Sequence, residues 1–421
     1  MVTIDHDAVL RARVLLLGSG RPGQAELVGA YRVLAGVSPK AYAAKLVDAL
    51  LALRYDSRDP QAGLALAAEA SRAARGVEAG TPGRTQRLCR ALDAHQDSLF
   101  ALGRRAEGRA VCEELAAAGR TGPLVRVLAE EGRFGEAAAR DEEAARGGTP
   151  GHSSCTKVRW AANLEGDAQH DAAAAVFRGL LEETRHEAAR HEAAGRRTAL
   201  ASLTWQLVHF SRMREAAGDR DGAAAARREA LGVLEELATA GEPENESCVL
   251  EPWRTLFVLS GRAAEPAAGP ENPMPPFGAQ HGWSRDVLDG FLGMLPALEA
   301  EAAPLRQAGR LSELADVQRR IAVRAAVREG TRTYLFQERF APYFDEGVTL
   351  ARRLPDDPAR LARALTDRSM FLVAARSFEP AHADLAEAVA LQPVPRRRAT
   401  ACPGPQVGGG GGLHRGGQTH V

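Results

Sequence analysis

A short pattern recurs along this chain: an apolar helical stretch, a glycine followed by arginine or aspartate, and a second helical stretch. Copies stand at Gly20-Arg21-Pro22, Gly103-Arg104-Arg105, Gly132-Arg133-Phe134, Gly166-Asp167-Ala168, Gly218-Asp219-Arg220 and Gly309-Arg310-Leu311. Two more, at Arg58-Asp59-Pro60 and Arg376-Ser377-Phe378, have arginine in the first place. Glycine adopts the left-handed conformation that ends a helix, and proline just after it suits the first turn of the next. Alanine often stands five places past the turn (Ala25, Ala137, Ala223, Ala381) and again seven further on (Ala144, Ala230, Ala388). Seven residues make two helical turns, so both alanines lie on one face and let a neighbouring helix approach closely. A chain with this pattern folds as paired helices.

Composition agrees. Alanine, the best helix former, makes up about a fifth of the 421 residues. Aromatics are 5%, and no stretch alternates strictly between apolar and polar residues. The expected class is all-α. Positive and negative residues balance at 54 each, so the net charge is zero and there is no electrostatic footprint for nucleic acid. No apolar run approaches the ~18 residues of a membrane span, and the N-terminus lacks the basic start of a secretory signal. Five scattered cysteines fit neither a disulfide framework nor a metal site, which points to a reducing cytoplasm. Only three of the 54 cations are lysine, and this Ala- and Arg-rich usage points to a GC-rich bacterial genome, actinobacterial in type.

The clearest unit spans 198–238, with Leu203, Leu207 and Phe210 on the first helix and Ala223, Ala230, Leu231 and Leu234 on the second. In the last unit Leu365, Ser369 and Leu372 precede Arg376-Ser377-Phe378, then Ala381, Leu385, Ala388 and a closing Pro393. This arrangement resembles the tetratricopeptide repeat, in which an aromatic follows a Gly-Asp-like turn and alanines and a proline complete the second helix. Gly132 and Gly166 are 34 residues apart, the period of that repeat. Other spacings differ and no unit carries the full Trp-Leu-Gly-Tyr signature, so the repeats are degenerate. The resemblance implies an α-solenoid of stacked antiparallel helix pairs, with an N-terminal array over 1–241 and a C-terminal array over 285–393. Between them, 242–284 is rich in proline and glycine and reads as a loop or hinge with one short helix near 248–260. The tail 394–421, with Arg396-Arg397-Arg398 and a run of five glycines from Gly408, has no apolar periodicity and reads as disordered or as a frame-shifted end.

Motifs that look chemical have plainer readings. Gly18-Ser-Gly20-Arg-Pro-Gly23 spells a dinucleotide fingerprint without the flanking strands that motif needs, so it reads as the first inter-helix turn. In His186-Glu187-Ala-Ala-Arg190-His191 the histidines are five apart, one too many for a zinc-protease helix. No phosphate loop and no nucleophile elbow occur. The chain is therefore expected to be non-catalytic, with no cofactor and no metal.

What remains is a recognition surface. In a superhelix of helix pairs the first helix of each pair lines the concave face. Candidate groove residues there are Arg90, Arg126, Trp160, Asn163, Trp205, Arg212 and Arg306; tryptophan and arginine dominate binding hot spots. The resemblance implies a protein-interaction scaffold that holds a peptide or partner protein in its groove, with no nucleic-acid or membrane partner. The alternative is the sensor or regulatory module of a bacterial signalling ATPase or transcription regulator whose effector domain lies elsewhere.

Overall fold

The computed structural model describes residues 5–18, 20–146, 154–191, 193–241, 250–276, 283–328 and 336–392. Among them every regular element is a helix, as expected of an all-α chain. The tail 394–421 lies outside the described residues, as do 242–249 and 277–282 of the segment expected to be a loop or hinge; the short helix expected near 248–260 is present at Leu250–Ser260.

The first twelve helices are α1 (His6–Leu17), α2 (Gln24–Val37), α3 (Pro39–Asp56), α4 (Pro60–Arg75), α5 (Arg84–Ala101), α6 (Arg105–Ala117), α7 (Gly122–Glu130), α8 (Phe134–Arg146), α9 (Ser154–Gly166), α10 (His170–Arg190), α11 (Ala193–Ala216) and α12 (Arg220–Thr239). After α13 (Leu250–Ser260) and one 3-10 turn come α14 (Arg285–Gly293), α15 (Leu295–Gln307), α16 (Leu311–Arg328), α17 (Phe336–Arg352), α18 (Pro358–Ala374) and α19 (Phe378–Ala390). Gly23 is the N-cap of α2.

Local chemistry sets the boundaries. Gly218 ends one helix at φ 81°, and the Asp219 carboxylate then accepts the Gly222 N–H at 2.9 Å to start α12. Asp357 caps α18 in the same way through the Arg360 N–H at 2.9 Å, with Pro358 in the first turn. Gly103, Gly132 and Gly309 are left-handed as the turn pattern requires, but Gly20 and Gly166 are not. At the 166–168 turn the left-handed residue is Ala168, at φ 59°. Gly166 serves proximity instead, since a Cβ there would stand 2.2 Å from Arg262 Nη2 and 2.6 Å from the Phe134 ring.

Each of α1 to α12 packs on the next, and so does each of α14 to α19. The two series also meet. The pair α18–α19 lies beside α11–α12, first helix on first and second on second. α13 packs on α9, α11, α16 and α18, and α14 packs on α5. The helices packed most closely in the N-terminal series are therefore α5, α9, α11 and α12, three of them first members of pairs.

A single apolar cluster joins the series, running from Ala138 and Val158 through Leu203 and Trp253 to Phe371 and Leu385. Trp253 of α13 is 1% exposed and stacks on Phe257 at 5.5 Å, with Phe340 and Phe344 edge-on at 6.2 Å. Packing an indole among three phenyl rings contributes beyond the area it buries.

Candidate site: an arginine-lined cleft

Most of the residues expected to line a groove make contacts within the molecule. Trp205, on α11, is buried and donates its Nε1–H to the Met370 carbonyl of α18 at 3.1 Å. Arg212, two turns further along, pairs with Asp367 of α18 at 2.7 Å. Asn163 is fully buried and donates to Asp141 at 3.1 Å, while Trp160 on the same helix packs half-buried against the large apolar cluster. Arg126 donates to Gln96 at 2.5 Å and lies over the Phe100 ring. Arg90 and Arg306 are exposed, each near a carboxylate on an adjacent helix, Asp48 at 3.5 Å and Glu346 at 2.6 Å. These seven do not converge on one site; of them only Arg212 lines the wide cleft between α11–α12 and α18–α19.

A polar strap crosses the N-terminal series as well. Glu130 at the end of α7 is fully buried and accepts Arg105 Nη2 at 2.7 Å and the Ser284 N–H at 2.8 Å. Its backbone carbonyl takes the Met274 N–H at 2.9 Å. Arg105 reaches on to Asp286 of α14 at 3.0 Å. Further along, Arg262 donates to the Ala162 carbonyl of α9 at 2.7 Å.

A wide opening lies where α18–α19 meets α11–α12. A cleft of about 930 Å³ is bounded by Val208, Ser211, Arg212 and Glu215 on α11, Arg220 and Arg227 on α12, and Arg319 on α16. Its other walls are the start of α18, from Asp357 to Arg363, and the apolar face of α19. That volume is within the range of small-molecule sites.

Six arginines line it, and their partners are specific. Arg212 and Arg319 share Asp367, at 2.7 and 2.8 Å, and Arg319 also donates to the Ser260 hydroxyl at 2.7 Å. Burial alone would raise the pKa of Asp367, but the two guanidiniums outweigh it and hold the carboxyl below the usual carboxylate range. Arg360 spans Asp357 and Asp316, at 3.0 and 2.5 Å, and Arg227 reaches Glu215 at 3.2 Å. Arg220 and Arg363 face the cleft with no hydrogen bond or ion pair among the described residues.

The hydroxyls on the walls are committed to backbone. Ser211 donates to the Val208 carbonyl at 2.7 Å, Ser260 to Phe257 at 2.6 Å and Thr366 to Ala362 at 2.7 Å. The charged groups on the cleft walls are thus six guanidiniums against the Glu215 and Asp357 carboxylates, and guanidiniums bind oxyanions and keep their protons at neutral pH. Among the described residues no group of three or more His, Cys, Asp or Glu is placed to hold a metal ion, and no helix is long and apolar enough to cross a membrane. No protein-family model matches the chain, and no curated protein does.

Sequence reasoning missed Arg220, Arg227, Arg319, Arg360 and Arg363. In a chain this rich in arginine no single one stands out, and the cleft exists only because α18–α19 lies beside α11–α12.

Proposed function

We propose that the chain is a non-catalytic ligand-binding module, the sensor part of a regulatory system, and that its ligand enters the cleft between α11–α12 and α18–α19. One observation carries this: a preformed cleft of about 930 Å³ whose walls carry six guanidiniums against two carboxylates. We read the helix pairs as tetratricopeptide-like, wound into a solenoid whose inner face carries α13, α14 and α18. A site formed between two helical series couples ligand binding to their relative position, which is what a sensor requires. A cytoplasmic setting is supported by the free thiols of Cys89, Cys112 and Cys155.

Ala263, exposed on the cleft wall, provides the test. In a thermal-shift screen of small metabolites, a true ligand raises the melting temperature of the wild type and leaves an Ala263→Trp variant unmoved. Saturation at a hundred times Kd stabilises by about 2.7 kcal/mol. If ligands shift both proteins equally, the cleft is not the site.

The scaffold reading has one observation in its favour. Leu10, Val14 and Leu17 share a face of α1 and are 57%, 69% and 86% exposed. A contiguous exposed apolar stripe of this kind suits a protein partner on α1. A partner captured by the wild type and lost with Val14→Lys would support that reading.

A further inference from the structure

We propose that the cleft binds a small amphiphilic dianion, its two charges met by Arg220 and Arg363 and its apolar body lying on Val208, Leu385, Val389 and Leu391. This rests on the cleft being the binding site.

The six lining arginines have four carboxylates within reach, Glu215, Asp316, Asp357 and Asp367. Those four are taken up by Arg227, Arg360, Arg212 and Arg319. Two positive charges remain, one on α12 and one on α18. Arg363 stands among Arg319, Arg360, Asp367 and Asp316; its partial burial, then the repulsion of Arg319, outweigh the pull of the two carboxylates and lower its pKa below the usual guanidinium value. A like-charged cluster with low-dielectric walls draws an anion, and a guanidinium fork matches the two oxygens of a carboxylate or phosphate. A monoanion would leave one guanidinium uncompensated, whereas a dianion neutralises both.

The shape adds a second requirement. About 930 Å³ is far more than a bare phosphate fills. Part of the lining is apolar, formed by Leu385, Ala388, Val389 and Leu391 toward the end of α19 and by Val208 on α11. Such a surface is left dry by a hydrocarbon or ring body. The chain's own continuation is a poor occupant on charge: beyond Gln392, residues 393–421 hold four arginines and neither aspartate nor glutamate.

The dianionic head is either a phosphate monoester or a dicarboxylate, and the experiment separates them. The full chain is titrated calorimetrically at pH 8 with octyl phosphate, octylmalonate, octanoate and inorganic phosphate. The expected result is saturable binding of octyl phosphate or octylmalonate at least tenfold tighter than octanoate or inorganic phosphate, the tighter of the two identifying the head. Arg363→Gln and Arg220→Gln, both at exposed side chains, should each weaken that binding about tenfold without changing the melting temperature. The proposal is overturned if octanoate binds as tightly as the dianions, if neither substitution weakens binding, or if no probe binds. Probe binding that Ala263→Trp abolishes but the arginine substitutions leave intact would refute the dianion and leave the cleft standing as a binding site.

Discussion

Ala168 holds φ at 59°, a conformation in which its Cβ crowds the backbone and which glycine adopts freely. It is exposed, so nothing in its surroundings requires a methyl group. Ala168→Gly should therefore raise stability by about 1 kcal/mol in urea unfolding. His209 presents the opposite case, a titratable ring placed where it cannot charge. Burial on α11 first, and the nearby Arg212 second, push its pKa down to about 3. The unfolded chain takes up this proton near pH 6.5, so protonation favours unfolding in the interval between. This site's contribution is complete above pH 6.5 and falls by up to about 1.4 kcal/mol per pH unit below it. Denaturation midpoints at pH 7.5, 6 and 5 should drop less steeply in His209→Gln than in the wild type. Cys112, fully buried beside Gln96, has its thiol pushed up to about 12, by burial above all. Iodoacetamide at pH 8 should alkylate the half-buried Cys89 and Cys155 well before Cys112, as peptide mass spectrometry would show.

At the scale of elements, the contact of α11 with α18 depends on one carboxylate. Asp367 is buried and neutralises Arg212 and Arg319 together. Removing its charge leaves two guanidiniums facing each other, so Asp367→Asn should cost about 3–5 kcal/mol in chemical denaturation. The elements themselves were readable in the sequence. Alanine content called for helix, and Gly103, Gly132, Gly218 and Gly309 stand left-handed where the turn pattern put them. Ala168 and Arg376, at φ 59° and 65°, were not readable as left-handed, because turn context forces a conformation their side chains disfavour. Nor was the destination of Trp205 and Arg212. Their partners Met370 and Asp367 lie 165 and 155 residues away, and a periodic apolar face does not say which of many similar faces it will meet.

For the whole molecule, α13 joins the two helical series. Trp253 is its deepest side chain and touches rings on α13, α17 and α18. Trp253→Ala should cost about 3–5 kcal/mol. Hydrogen exchange should speed up in both α11 and α18, since both pack on α13. If the two series were independent, protection would fall on one side only.

The pairing of α12 with α19 also has a consequence in time. About 140 residues separate the end of α12 at Thr239 from the start of α19 at Phe378. At roughly 5–20 residues per second, a ribosome needs about 7–30 s to supply them. Through that interval the face of α12 that α19 later covers is bare on the nascent chain. A bare face of this kind is the surface that holdase chaperones bind, and slowing translation between α12 and α19 should lengthen any such engagement.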